Sequence, residues 1–185
     1  MAYKIGKNVK MGKNVEIADS VAIGDGAVIG NNVELGENVT IRKNAIIGNN
    51  SIIGYVDLTP GKKAPPSPGS TEIGENAKVR SGCVVYWGSA VGKNSMIGHN
   101  SVLREKTIIG HDTYIGSLVS VEGNTNIGNY VGIQTQCYIT RNCNVGDYTF
   151  IAPTFAGAND YVMSHRRAEH GTNLVGFTTE KYVRI

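Results

Sequence analysis

Aliphatic side chains recur at every sixth position along most of this chain. A glycine often follows the aliphatic residue directly, an asparagine is common two residues after that glycine, and a small or β-branched residue comes next. A period this strict indicates a repeat protein in which each unit stacks on the next. The aliphatic frame starts with Ile5, Met11, Ile17, Ile23, Ile29, Leu35, Ile41, Ile47 and Ile53, and after an interruption it runs from Ile73 to Ile151.

The six-residue period predicts an all-β fold, a single-stranded parallel β-helix of about eight coils that forms one domain over residues 1–185. Three hexads make a coil of 18 residues with three short strands, and each strand pairs with the coils above and below. The aliphatic and small positions point inward and fill the core. The glycine and asparagine positions lie near the turns, where both residues tolerate a positive φ.

Two interruptions divide the aliphatic frame, so coils are predicted over residues 5–58 and 73–156. The segment 59–72 is rich in proline and glycine, which predicts a loop that leaves from a corner of the helix. Residues 157–182 are expected to form an irregular arm, and a further coil opens from residue 183. Because a helix that stops in mid-coil leaves strand edges unpaired, we expect a partner at this end or a shortened form of a longer protein, and we favour the second.

Charge and cysteine content narrow the function classes. The net charge of +3 over 185 residues is small and spread along the chain, so it favours neither nucleic acid nor a membrane as a partner. No apolar run has the length of a signal peptide or a membrane span, which predicts a cytoplasmic protein. Cys83, Cys137 and Cys143 all fall on the inward small position and are expected to be reduced core residues. A reactive thiol at Cys137 is the alternative.

Four segments carry a resemblance to a known family, namely residues 97–105, 115–123, 127–136 and 159–161. Together with the hexads, they resemble the hexapeptide-repeat acyltransferases, and among these the acetyl-CoA-dependent N-acetyltransferases that modify amino groups of nucleotide-linked sugars. The resemblance implies a left-handed helix, a homotrimer with active sites between subunits, acetyl-CoA as the acyl donor and a small nucleotide sugar as the substrate. Relatives continue after the arm with further coils that help to hold acetyl-CoA.

His99 is the predicted catalytic residue. Acyl transfer to an amine needs a proton acceptor, and histidine is the usual one because its pKa lies near neutrality. Residues 18 apart stack on one another, whereas His111 falls on a different face. His99 shares its face with the polar segment 134–136, and we expect the arm to leave from the same face. An ordinary solvated histidine is the alternative. The residues predicted to stack with His99 are Ser117, Thr135 and Pro153.

Five polar residues are predicted to bind the substrate. Gln134, Thr135 and Gln136 replace the Gly-x-Asn of the repeat, which suggests that their polar groups face a ligand, although drift of the repeat explains them equally well. In the resembling family this segment lies at the sugar and cofactor cleft. Asn159 and Asp160 match that family's arm motif, and a turn at the root of the arm is the structural alternative.

The arm also holds a dense cluster of cationic residues. Arg166 and Arg167 are predicted to bind the phosphates of coenzyme A or of the nucleotide sugar, with a solvated loop as the alternative. His165 and His170 have the spacing of two zinc ligands in γ-class carbonic anhydrases, which share this fold. A third histidine is not evident, so no metal site is predicted.

Three function classes therefore remain open. The first is the acetyltransferase that the resemblance implies. The second is a non-catalytic trimeric scaffold that keeps the fold without binding the cofactor, which the expected shortening favours. The third, least favoured, is a zinc protein of the carbonic-anhydrase type.

Overall fold

The computed structural model describes residues 3–57, 69–160 and 174–185, and these residues form a parallel β-solenoid without a helix. Its strands are two to four residues long and build three sheets of nine, eight and seven strands. No helix in the described part of the chain is long and apolar enough to cross a membrane.

The chain visits the three sheets in turn, so every third strand belongs to the same sheet. The first sheet contains β1 (Lys4–Ile5), β4 (Ala22–Ile23), β7 (Val39–Ile41), β10 (Thr71–Ile73), β13 (Ala90–Val91), β16 (Ile108–Ile109), β19 (Asn126–Ile127), β22 (Asn144–Val145) and β24 (Thr178–Thr179). The second contains β2 (Lys10–Met11), β5 (Val28–Ile29), β8 (Ile46–Ile47), β11 (Lys78–Val79), β14 (Met96–Ile97), β17 (Tyr114–Ile115), β20 (Gly132–Ile133) and β23 (Phe150–Ile151). The third contains β3 (Glu16–Ile17), β6 (Glu34–Leu35), β9 (Ile52–Tyr55), β12 (Val84–Tyr86), β15 (Val102–Leu103), β18 (Ser120–Val121) and β21 (Tyr138–Ile139).

The register of the sheets follows the six-residue period. Each strand pairs in parallel with the strand one coil further on, as in the pair Met96↔Tyr114, which is 18 residues apart. The exceptions are the pairs that span the interruptions: β7–β10, β8–β11 and β9–β12 are offset by 32 residues, and β22–β24 is offset by 34. The predicted β-helix of about eight 18-residue coils is thereby confirmed.

Three rows of turns, the corners of the solenoid, connect the sheets. The first corner joins the first and second sheets, the second corner joins the second and third, and the third corner leads back to the first sheet. In the coil of residues 108–125 these corners are residues 110–113, 116–119 and 122–125.

The core is a column of stacked aliphatic side chains, as the sequence predicts. Ile97, Leu103 and Ile115 are completely buried. At the small inward position, hydroxyl groups donate to carbonyl oxygens of the next coil, as Ser95 Oγ does to Gly110 O at 2.7 Å. Where such a bond satisfies the hydroxyl group, serine and threonine can occupy the core at little cost.

The cysteines occupy this same small position, and all three are free and buried. Cys83 Sγ donates to Gly98 O at 2.9 Å, which is the bond that a serine makes elsewhere in the column. Burial raises the pKa of each thiol, and that of Cys143 to about 11. The prediction of reduced core cysteines is confirmed, and because burial raises the pKa of Cys137 as well, its thiolate is disfavoured.

The turns confirm the prediction for asparagine and correct it for glycine. The asparagine position has a positive φ in most coils, for example 56° at Asn8 and 53° at Asn32. Among the described residues, the glycine that follows the aliphatic residue has a positive φ only at Gly54, where it is 83°. A Cβ at Gly98 would instead lie 2.4 Å from the backbone carbon of Gly116. Glycine is needed there because neighbouring coils approach closely, not because of its freedom in φ.

Both interruptions leave the solenoid at the third corner. The first lies between β9 and β10, and the second follows Ala156, which bridges to Tyr138 of the third sheet. Strand β10 begins at Thr71, inside the predicted loop of 59–72, and β24 begins at Thr178, before the predicted restart at residue 183. The last coil is in register with the one before it, because the N–H of Ile185 donates to Phe150 O at 3.0 Å.

Candidate active site

His99 lies at the second corner, directly after β14. Its backbone N–H donates to Ser117 Oγ at 3.1 Å, and its carbonyl oxygen accepts from the N–H of Leu118 at 2.8 Å. The side chain is exposed and borders a shallow depression of about 280 Å³ on the outside of the second sheet. Lys78 and Arg80 line the same depression. The imidazole is therefore open to a ligand and has two cationic neighbours.

The predicted column of residues that stack on His99 is present. Ser117 O accepts from the N–H of Gln136 at 3.0 Å, and Thr135 O accepts from the N–H of Thr154 at 3.0 Å. Coils in a β-helix lie about 4.8 Å apart, so His99 and Thr135, which are two coils apart, are separated by roughly 10 Å. They share a corner but do not touch, and a single ligand would have to extend along the corner to reach both.

The Gln134–Gln136 segment has polar groups available for a ligand. The backbone N–H of Gln134 donates to Ile151 O at 2.9 Å, so the main chain is fixed by stacking. Gln134 is half-buried, whereas Thr135 and Gln136 are exposed. Within residues 3–57, 69–160 and 174–185, neither glutamine side chain has a hydrogen-bond partner. Both amides can therefore donate to a bound molecule.

The root of the arm lies elsewhere, which corrects one expectation. Asn159 Nδ2 donates to Arg141 O at 3.4 Å, and Asn159 O accepts from the N–H of Val175 at 3.0 Å. Arg141 belongs to the third corner, so Asn159 and Asp160 lie at a different corner from His99. The arm leaves after the chain has crossed the third sheet. The prediction that it leaves from the same face as His99 was therefore wrong.

Two of the predicted site residues, Arg166 and Arg167, lie outside the described residues, as do the neighbouring His165 and His170. Their assignment stays a prediction. In the part of the chain that the structure describes, no three histidine, cysteine, aspartate or glutamate side chains come together in an arrangement that could hold a metal ion.

The third corner holds an ionic network that the sequence analysis missed. Glu105 Oε2 is 3.0 Å from Arg104 Nε, and its other oxygen accepts from Arg141 Nη2. Arg104 also pairs with Glu122, with 3.6 Å between Nη1 and Oε2, and its guanidinium lies 4.9 Å from the ring centre of Tyr86. These side chains are mostly buried, since only 16% of the Glu105 side chain is exposed. Arg104 and Glu122 are 18 residues apart, a spacing that predicts stacking on neighbouring coils.

The environment of Glu105 favours its charged form. Burial alone would raise the pKa of this carboxyl, but hydrogen bonds from its own backbone N–H and from Arg104 and Arg141 outweigh that effect and hold the pKa below its usual value. The network is therefore a source of stability that depends on pH.

Replacing Glu105 by glutamine should lower the free energy of unfolding by about 2 kcal/mol at pH 7, because Arg104 and Arg141 would lose their counter-charge. Since the folded pKa lies below the unfolded one, this stability is complete above about pH 4.3 and is lost as the pH falls through the folded value. Urea titrations at pH 7 and pH 3 would measure it, with the exposed Glu180→Gln as the control. A loss of equal size at both pH values would contradict this account.

His111 lies at the first corner, where it contacts further polar and aromatic side chains. His111 Nδ1 lies 2.8 Å from Asp112 Oδ2, and its ring meets Tyr130 edge-on. Tyr130, Tyr148 and Tyr182 then stack face to face, with ring centres 4.9 and 4.8 Å apart. Tyr130 and Tyr148 occupy the asparagine position of successive coils, so their stacking could be predicted from the sequence. The stacking of Tyr182 could not, because the arm interrupts the period before it.

Known families match the first part of the chain. Residues 2–37 and 26–55 match the family model described as bacterial transferase hexapeptide (six repeats). These coils carry the bacterial transferase hexapeptide repeat. Over these coils, the match confirms the resemblance to the hexapeptide-repeat acyltransferases that the sequence predicts. Comparison of the sequence with curated proteins gives no match.

Several solved structures of acyltransferases have a similar fold. LpxA from Acinetobacter baumannii is 23% identical, with a TM-score of 0.78 over 84% of this chain. The UDP-N-acetylglucosamine acyltransferases of Bacteroides fragilis and Francisella novicida are 25% and 26% identical, with TM-scores of 0.58 and 0.56 over 85% and 82% of this chain. The chain spans 62%, 66% and 62% of these three proteins.

Proposed function

We propose that this protein transfers an acyl group to a nucleotide-linked sugar. The observation that carries the proposal is the similarity of 85% and 82% of the chain to two UDP-N-acetylglucosamine acyltransferases. The hexapeptide repeat of the first coils supports the same assignment. In finer detail, the resemblance of the sequence to N-acetyltransferases favours acetyl-CoA as the donor and a sugar amine as the acceptor.

The proposed reaction assigns His99 as the base. The amine nitrogen attacks the thioester carbonyl carbon, the carbon–sulfur bond breaks, and the thiolate leaves and is protonated. The amine proton passes to His99 directly or through a water, which the exposure of the imidazole at the second corner allows. The side-chain amides of Gln134 and Gln136 at the same corner are the proposed donors to the developing oxyanion.

The proposed trimer draws its support from the surfaces on both sides of the second corner. Apolar side chains lie outside the second sheet at Ile46, Tyr114 and Phe150 and outside the third sheet at Tyr138, each 37–42% exposed. Neighbouring subunits that pack on these faces would cover apolar surface and place His99 at a subunit boundary. Asn159 and Asp160 then serve the site from another subunit, with Arg166 and Arg167 on the donor's phosphates.

Calorimetric titration of acetyl-CoA into the purified, metal-free chain tests the donor. We expect micromolar binding, and acetyl-CoA at 100 times its Kd should stabilise the protein by about 2.7 kcal/mol. Release of the free thiol in the presence of individual amino-sugar nucleotides then identifies the acceptor. Absence of binding at millimolar acetyl-CoA would overturn the acetyl-CoA assignment and leave the trimeric scaffold as the better description. Stoichiometric zinc in the protein as purified would instead favour the carbonic-anhydrase type.

A further inference from the structure

The depression beside His99 has an unusual set of walls. It is lined by Ile46, Gly48, Lys78, Val79, Arg80, Ser81 and His99, so the side chains of a lysine, an arginine and a histidine surround a small apolar floor. No acidic residue belongs to this lining. Cationic groups around a concave surface without a carboxylate favour an anionic ligand.

No ion pair between described residues includes Lys78, which lies between Ile46 and Met96 in the second sheet. By contrast, Lys93 and Lys181 at the first corner lie 4.0 and 3.1 Å from carboxylate oxygens. The ammonium group of Lys78 is therefore available to a ligand.

Arg80 gains its space from two glycines. It occupies the glycine position of the repeat, and its column neighbours on the coils before and after are Gly48 and Gly98. Neither neighbour has a side chain, so the Arg80 guanidinium is not stacked on a residue of its own column. Among the residues described by the structure it has no ion pair either, unlike Arg42, Arg104 and Arg141.

Ser81 adds a backbone donor to the same wall. At this corner the side chain of one coil commonly accepts from the N–H of the coil before, as Ser117 Oγ does from His99 N–H at 3.1 Å and Asn49 Oδ1 from Asn31 N–H at 2.8 Å. His99 makes no such bond to Ser81, whose N–H has no acceptor within the described part of the chain. Gly48 leaves the nitrogen of Ser81 uncovered, because a Cβ there would lie 2.4 Å from it.

We propose that this depression binds a phosphate group of a small ligand, with Lys78 and Arg80 as the charge partners and Ser81 as a neutral donor. Arginine and lysine with a backbone N–H are a common set of phosphate ligands. The phosphate could come from the diphosphate of a nucleotide sugar or from coenzyme A. The choice between these two sources of the phosphate rests on the proposed function, whereas the binding of a phosphate group as such does not.

Inorganic pyrophosphate is the probe, titrated calorimetrically into the full chain at low ionic strength. We expect binding that weakens at least about tenfold in a Lys78→Gln/Arg80→Gln variant. A Lys4→Gln/Lys7→Gln variant, which removes the same charge from the first coil, should bind like the parent protein. In the parent itself, the amide resonance of Ser81 and the imidazole resonances of His99 should shift with pyrophosphate while those of His111 stay in place.

An equal loss of pyrophosphate affinity in both double variants would show that pyrophosphate is attracted by the net charge of the protein in general, and it would overturn the proposal. So would absence of pyrophosphate binding, or shifts at His111 that match those at His99. The parent titration decides the matter even if the Lys78→Gln/Arg80→Gln variant does not fold. Parallel titrations with uridine diphosphate and with adenosine 3′,5′-bisphosphate identify the source of the phosphate. Pyrophosphate binding without any acyl transfer would leave the site intact and reject only the proposed reaction.

Discussion

Replacing His99 with alanine should lower the turnover of acyl transfer by about 10²–10⁴-fold, which is the usual loss when a general base is removed. The free energy of unfolding should change by less than about 1 kcal/mol, because the side chain is exposed and only its backbone bonds to Ser117 and Leu118 hold the coil. Initial rates of thiol release and urea unfolding curves measure the two effects. This combination separates a role in the reaction from a role in the fold.

His111 provides a matched control within the same chain. It follows Ile109 and Gly110 just as His99 follows Ile97 and Gly98, but it lies at the first corner. His111→Ala should leave turnover close to that of the parent, although it removes the contacts with Asp112 and Tyr130. Equal turnover in the parent protein and in His99→Ala would remove His99 from the mechanism.

The largest loss of stability is expected from Ile109→Ala. Ile109 is 1% exposed in the stacked core, and deletion of a buried aliphatic side chain costs about 2–5 kcal/mol. In a solenoid each coil contacts only its two neighbours, so little of the surrounding structure can collapse into the cavity without disturbing the stack. Denaturant unfolding followed by circular dichroism would measure the change.

Ile108 makes the comparison unusually direct, because it is the adjacent residue of the same strand β16 and points outward with 42% exposure. Ile108→Ala removes the same atoms from the surface and should cost less than about 1 kcal/mol. Similar losses in the two variants would mean that the inward and outward positions of the repeat are not distinguished as the structure has them.

The sequence predicted most of the fold because the period sets the position of every regular residue. Once Ile97 and Ile115 are known to stack, the column from His99 to Thr135 follows by counting. Counting failed wherever a segment of irregular length intervened. The pair Asn144↔Thr178 spans 34 positions, so neither the strand at Thr178 nor the stacking of Tyr182 could be read from the period.

The candidate site was only half predictable for a second reason. Which corner a residue occupies follows from its place in the coil, so His99 and Gln136 could be assigned to one corner. Whether long side chains meet depends on their rotamers and reach, as for Arg141 and Glu105, which are 36 residues apart in the chain. The depression at Lys78 and Arg80 also depends on two neighbouring glycines, Gly48 and Gly98, which have no side chains to fill it.

The departure of both interruptions from the third corner also bears on how such a chain can change. Asparagine side chains form hydrogen-bonded ladders along the first and second corners, as from Asn76 to Asn94 and from Asn32 to Asn50, and the stacked tyrosines continue the first. Extra residues there would break these continuous rows, whereas the third corner has already accepted two interruptions, after each of which the coils resume parallel pairing. Each doubling of the length of a flexible loop adds only about 0.6 kcal/mol to the entropic cost of closing it. The third corner is thus where new segments can be added in the course of evolution while the older surfaces stay unchanged.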